Sequence, residues 1–254
     1  FTRFLAVGGS PAEAYGNVVA FAGGGSPVLG VRLKAEGGGA PVDSATVSIG
    51  DGKQTIPAYP SKEGALAVHL PAGEYSLGVA DRGRGAVQRK VKLAGAGRTD
   101  LEVALPPRSG VEFDIDGAAG ADTPCKVQFA GVGGTKTPNL GPQNRAHGCV
   151  DQWHSETGAF AVALDPGTYR LVITRGIEHG HLVREVTVKA GSFAPVKGVL
   201  RRLVDTRGWV STDFHNHSTP SGDNQCGTDD RIINLAAEHI EFAPTTEHNR
   251  LYDW

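Results

Sequence analysis

From about Pro27 onward, apolar and polar residues alternate in short runs, each closed by Gly, Pro or Asp. Val31–Ala35, Ala45–Ile49, Ala65–Leu70, Glu74–Val79, Gln88–Leu93 and Leu101–Leu105 all follow this period of two. That period sends successive side chains to opposite faces of a strand. Asp51-Gly52, after the second run, is a hairpin turn. Ahead of the strands, Phe1–Val7 alternates weakly, like the last strand of something earlier. Ser10-Pro11-Ala12-Glu13 then reads as a helix start, with Ser at the cap and Pro at the first helical position. The helix should end near Ala22, before Gly23-Gly24-Gly25. One strand and one helix cannot bury a core alone, so residues 1–26 are expected to be the remnant of an upstream domain.

The alternation also repeats itself. GALAVHLPAGEYSL (Gly64–Leu77) matches GAFAVALDPGTYRL (Gly158–Leu171), and the register continues through Val91–Gly95 and Val186–Gly191. Offsets of about ninety residues point to two copies of one unit. Each copy carries a strand, a Pro/Gly turn and a second strand that begins at a Tyr, Tyr75 or Tyr169. Short strands at this spacing predict two tandem antiparallel β-sandwich domains, 27–107 and 108–204, in a mainly β chain. The pattern resembles the transthyretin-like or carboxypeptidase-regulatory-like sandwiches appended to many exported enzymes.

Composition agrees with many turns and few long helices: Gly 36, Pro 15 and 7% aromatics in 254 residues. A net charge of -2 without a basic run offers no footprint for nucleic acid. No apolar stretch approaches the ~18 residues of a membrane span. The chain has no methionine, begins at Phe1 and stops at Trp254, so both ends are expected to be cut. Of the three cysteines, Cys125 and Cys149 could pair, which would suit an exported (periplasmic or extracellular) protein, while Cys226 stands alone.

Candidate chemistry gathers in Gly208–Asn249, since four of the nine histidines lie in the last forty residues. On a strand, His215 and His217 would share one face, ~7 Å apart along the backbone. Trp209-Val210 and Phe214 would supply a buried approach. A polar loop with Asp223, Cys226, Asp229 and Asp230 follows, then a helix over Arg231–His239 capped by Thr228 or Asp229. Ile240–Thr246 reads as a second buried strand, weakened by Pro244, that delivers Glu247-His248-Asn249 to the same rim. Asp223, which no cap explains, would be a hard oxygen ligand or an orienter of a histidine.

His215-x-His217, the acidic loop, the helix and Thr246-Glu247-His248-Asn249 resemble the opening motifs of the PHP (polymerase and histidinol phosphatase) superfamily, in its CehA/McbA-type branch. The resemblance implies that residues 205–254 are the amino-terminal fragment of a (β/α)7 barrel with two or three divalent ions, Zn, Mn or Fe. It implies hydrolysis of a small-molecule ester or phosphoester by a metal-activated water. His215 and His217 would hold one metal and Asp223 and His248 a second, with Glu247, where the family usually has Asp, behind a histidine. Later ligands would lie past Trp254, so the fragment is expected to bind metal weakly or not at all, to be inactive, and to associate with the missing parts of its own polypeptide.

Two loops of the second sandwich also carry chemistry. His147, Cys149 and His154 fall around a long insertion, and Arg175-Gly176-Ile177-Glu178-His179-Gly180-His181 replaces a simple hairpin turn. Arg175 and Glu178, with Cys226, are candidates to line a cleft against the following segment, although solvated loops would look the same. The alternative function is a structural or adhesive β-sandwich protein that binds a carbohydrate or protein partner, with a degenerate terminal segment.

Overall fold

Ser10 starts the first helix, α1 (Pro11–Gly23), by accepting the Glu13 N–H on its Oγ at 3.2 Å. Glu13 reaches back to accept the Gly9 N–H at 2.6 Å, so two orphan donors of the helix entry are satisfied. The structure, a computed structural model, describes residues 5–23, 25–117, 120 and 122–253. The expected strand over Phe1–Val7 lies partly outside these residues, and Leu5–Val7 form no strand. The helix expected to belong to an upstream domain instead packs on the first sandwich, with Ala12 fully buried in its core and Tyr15 against it.

Seven strands follow: β1 (Val28–Ala35), β2 (Thr46–Gly50), β3 (Thr55–Ala58), β4 (Ala65–His69), β5 (Gly73–Asp81), β6 (Gly85–Leu93) and β7 (Arg98–Leu105). They form a three-stranded sheet ordered β4-β1-β7 and a four-stranded sheet ordered β3-β2-β5-β6. The inward positions of both, among them Leu29, Leu33, Val47, Leu77 and Leu105, fill one apolar core. The sequence pattern did not announce β3, which is short and contains Pro57. It pairs only with β2, so the missing N–H falls on a sheet edge, where proline is tolerated.

The next seven strands repeat this plan: β8 (Gly110–Asp116), β9 (Cys125–Val132), β10 (Gln152–Ser155), β11 (Ala159–Ala163), β12 (Gly167–Thr174), β13 (Leu182–Val188) and β14 (Phe193–Val199). Their orders, β11-β8-β14 and β10-β9-β12-β13, match the first unit strand for strand. Phe113 anchors this core, stacked on Phe160 at 4.6 Å and edge-on to Phe129 at 6.1 Å between centroids. The two tyrosines occupy equivalent corners: Tyr75 Oη donates to Pro71 O at 2.9 Å and Tyr169 Oη to Asp165 O at 2.8 Å. One departure from a purely antiparallel fold occurs in both copies, because β1–β7 and β8–β14 pair in parallel. The chain is thus mainly β, built of several largely antiparallel sheets in a sandwich arrangement.

The backbone divides into two compact units, Phe1–Arg108 and Ser109–Trp254, so the terminal segment belongs with the second sandwich. That segment does not form the expected strand–helix–strand. It holds one helix, α2 (Thr228–Ala237), and a single parallel bridge, Thr212 to Phe242. The flanking apolar residues are not buried: Trp209 is 79%, Phe214 66% and Phe242 52% exposed. Without a neighbouring strand to complete a ladder, these residues have no sheet to join. The α2 cap is Gly227, with no side-chain capping bond, and Asp230 instead accepts the Ala146 N–H at 2.7 Å on Oδ1. All three cysteines are free, Cys125 lying in the core with its thiol pushed up to about 12 by burial.

Candidate functional site

His217 is held by a polar net in place of a sheet. Buried Asn216 donates its N–H to Thr246 Oγ1 at 2.9 Å and its Nδ2 to Pro244 O at 3.1 Å, and Thr246 Oγ1 donates back to Asn216 O at 2.6 Å. Glu247, 7% exposed, accepts the Ser218 N–H at 2.9 Å, the Ser218 hydroxyl at 2.6 Å and the Ser221 hydroxyl. Ser221 Oγ also lies 3.0 Å from His217 Nδ1 and accepts the His248 N–H at 2.9 Å. Because the Ser221 proton is given to Glu247, its oxygen accepts from His217. This contact holds the His217 ring by its Nδ1 edge and turns Nε2 away from Ser221.

The rings of His217 and His248 lie 4.5 Å apart, and His215 adds a third at 5.0 Å from His217. His248 Nε2 is 3.0 Å from Asp223 Oδ2. One ligand atom from each of His217, Asp223 and His248 falls within 4.8 Å of the other two. Two imidazole nitrogens and a carboxylate oxygen are a donor set that suits Zn, Mn or Fe. The Asp223 and His248 side chains are 60% and 57% exposed, so the cluster sits on an open rim. Of the sequence candidates, His217, Asp223 and His248 converge, His215 stands beside them, and Glu247 acts on His217 through Ser221. Ser218, Ser221, Asn216 and Thr246 carry this arrangement and were not candidates in the sequence, where the two serines read as loop and Asn216 and Thr246 as strand residues.

The other candidates lie elsewhere. Cys226 is buried, with its thiol pushed up by that burial, and its Sγ is 3.8 Å from Asn234 Nδ2. Arg175 donates to Pro124 O at 2.6 Å. Glu178 is paired with Arg202 and groups with His179 and His239, not with His217. His147 stacks on Trp153 at 5.3 Å and pairs with Glu156 at 2.8 Å. The segment is docked on its sandwich by Lys126–Glu238, by Asn144 Nδ2 donating to Gln225 O at 3.0 Å, and by the Asp230 bond to the 146 backbone. Within the segment, Arg231 Nε donates to His217 O at 2.9 Å, tying α2 to the stretch that carries the histidines.

No family model matches the chain, and no curated protein matches it. Among solved structures it is similar to a streptococcal ancillary pilin (16% identity, 71% of this chain and 63% of that one, TM-score 0.37). It is also similar to the shaft pilin SpaA of Lactobacillus rhamnosus GG (11% identity, 70% and 98%, TM-score 0.40). A third is the minor pilin of Streptococcus agalactiae (13% identity, 70% and 97%, TM-score 0.36). The chain spans 63% of the length of the first of these.

The backbone of the terminal segment corrects the resemblance to PHP-type metallohydrolases. The stretch that was to open a (β/α)7 barrel contains one helix and one bridged residue pair among its described residues. The expectations that rested on it fall with it: a hydrolase or phosphoesterase, a small-molecule ester or phosphoester as partner, and completion by missing barrel parts. No helix among the described residues is long and apolar enough to cross a membrane.

Proposed function

We propose that the chain is a structural or adhesive β-sandwich protein, exported from the cell, that holds a carbohydrate or protein partner on the surface of its sandwiches. The observation that carries this reading is the paired fold itself. Two units of one seven-strand plan have interiors filled by apolar side chains, so what they offer a partner is surface. On the first unit, Asp51, Glu74, Ser76, Lys90 and Lys92 line an open trough of about 590 Å³. Glu74 and Lys92 are only loosely paired, at 3.5 Å with both side chains largely exposed, and so are free to exchange that contact for a ligand's hydroxyl or charged groups. In this reading His217, Asp223 and His248 hold a divalent ion that braces the terminal segment, without a hydrolytic role.

The test is an array of immobilised glycans and extracellular-matrix proteins probed with the full chain. Saturable binding is expected, and Lys90→Ala with Lys92→Ala should weaken it by about tenfold, the size of one lost charged contact. A chain that binds nothing on the array, or whose binding ignores the trough, contradicts the proposal.

A further inference from the structure

A second histidine cluster is built from residues that play no part in the first. Glu178 and His179 sit in the loop between β12 and β13, and His239 follows α2. One ligand atom from each lies within 4.8 Å of the other two. The two imidazoles meet edge to face with centroids 4.9 Å apart, and His239 Nδ1 is 3.3 Å from Glu178 Oε2. That separation lacks the alignment of a hydrogen bond, and so the Nδ1 atoms of both His179 and His239 are shut off from water without a hydrogen-bond partner. Buried polar atoms are rarely left this way in a finished fold.

The backbone points to the same place. The end of α2 is a Schellman motif, with His239 N–H donating to Ala236 O at 3.1 Å and Ile240 N–H to Leu235 O at 2.9 Å. His239 therefore takes the left-handed position, φ 55°, where glycine or asparagine is usual. Opposite it, Gly176 (φ 63°) lets the loop approach so closely that a Cβ there would lie 2.0 Å from Glu238 O. A strained histidine is kept at the end of a helix, and a glycine lets a Glu-His loop reach it.

We infer that Glu178, His179 and His239 form a binding site for a late first-row divalent ion of the zinc type, clamping the β12–β13 loop to the carboxyl end of α2. The donor set is two imidazole nitrogens and a carboxylate oxygen, which zinc accepts in tetrahedral sites. Arg202 already bonds Glu178 through Oε2. With a single carboxylate the set is poor for hard cations such as Mg²⁺ or Ca²⁺, which depend on several oxygens, and suits an ion bound mainly through imidazole. Arg202 then serves as the outer partner that orients the ligating carboxylate. This inference is independent of the adhesive role proposed above.

The full chain carrying His217→Ala and His248→Ala, which disables the first cluster, is dialysed against Zn²⁺ and its metal content measured. One equivalent should remain, and Zn²⁺ should raise the midpoint of thermal unfolding, whereas Mg²⁺ should do neither. Adding His239→Gly, which suits the left-handed backbone and preserves the helix end, should weaken Zn²⁺ binding by about tenfold or more, and Glu178→Gln should do likewise. The otherwise unaltered chain gives a second readout, since His239→Gly alone should lower its bound zinc by one equivalent. Zinc retained at full affinity after His239→Gly, or a folded His217/His248-deficient chain that takes up none, overturns the site.

Discussion

Glu247 shows how one buried carboxylate organises a loop that has no sheet to stiffen it. Its oxygens take two hydroxyls and a backbone N–H from Ser218 and Ser221, and Ser221 passes that order to both His217 and His248. Glu247→Gln replaces a charged acceptor by an amide that must present a donor to the same hydroxyls. It should cost on the order of 2 kcal/mol in denaturant unfolding of the second unit. A second residue-scale expectation concerns His154, which burial, and then the charge of Lys126, holds below its ordinary 6.5. The unfolded chain takes up that proton first as pH falls, so stability is unaffected well above 6.5 and declines below it. His179 shifts in the same direction and adds to the decline. Thermal unfolding from pH 8 to pH 5 should show this acid loss, and His154→Phe should flatten it. At this scale little was legible beforehand. The histidines announced themselves by type, whereas the serines that orient them did not, because a hydroxyl's role depends on which carboxylate folding brings to it.

At the scale of elements, legibility followed the presence of neighbours. β5 and β12 alternate cleanly because one face of each is buried against an opposing sheet, and the burial patterns retain that period. Trp209-Val210 and Ile240–Thr246 have the right residue types for strands, yet only Thr212 and Phe242 bridge. Residue type alone does not make a strand when the pairing surface is missing. Glu178, His179 and His239 were illegible as a group for the opposite reason, since only the docking of α2 beside the β12–β13 loop joins them. That docking has a direct test in Gly176→Ala. The substitution meets both a left-handed φ and the Glu238 carbonyl, and should destabilise the second unit by more than about 1 kcal/mol in chemical denaturation. A neutral result would mean that the loop does not approach the helix end as described.

For the whole molecule, the repeated Gly-x-Tyr hairpin was the most informative line of the sequence. It foretold two copies of one sandwich, and the matching strand orders and tyrosine corners express that duplication in three dimensions. What misled was the end of the chain, where histidines in a family-like order suggested a barrel that the backbone does not begin. The chain's substance is its two sandwich units, and in the function proposed above their surfaces hold the partner. The most direct measurement is equilibrium binding of the full chain to the glycans and matrix proteins of the array, compared with Lys90→Ala/Lys92→Ala and with His217→Ala/His248→Ala. The account predicts saturable binding that falls with the lysine pair and survives loss of the histidines. Absence of binding, or binding that depends on the histidines and not on the trough, would contradict it.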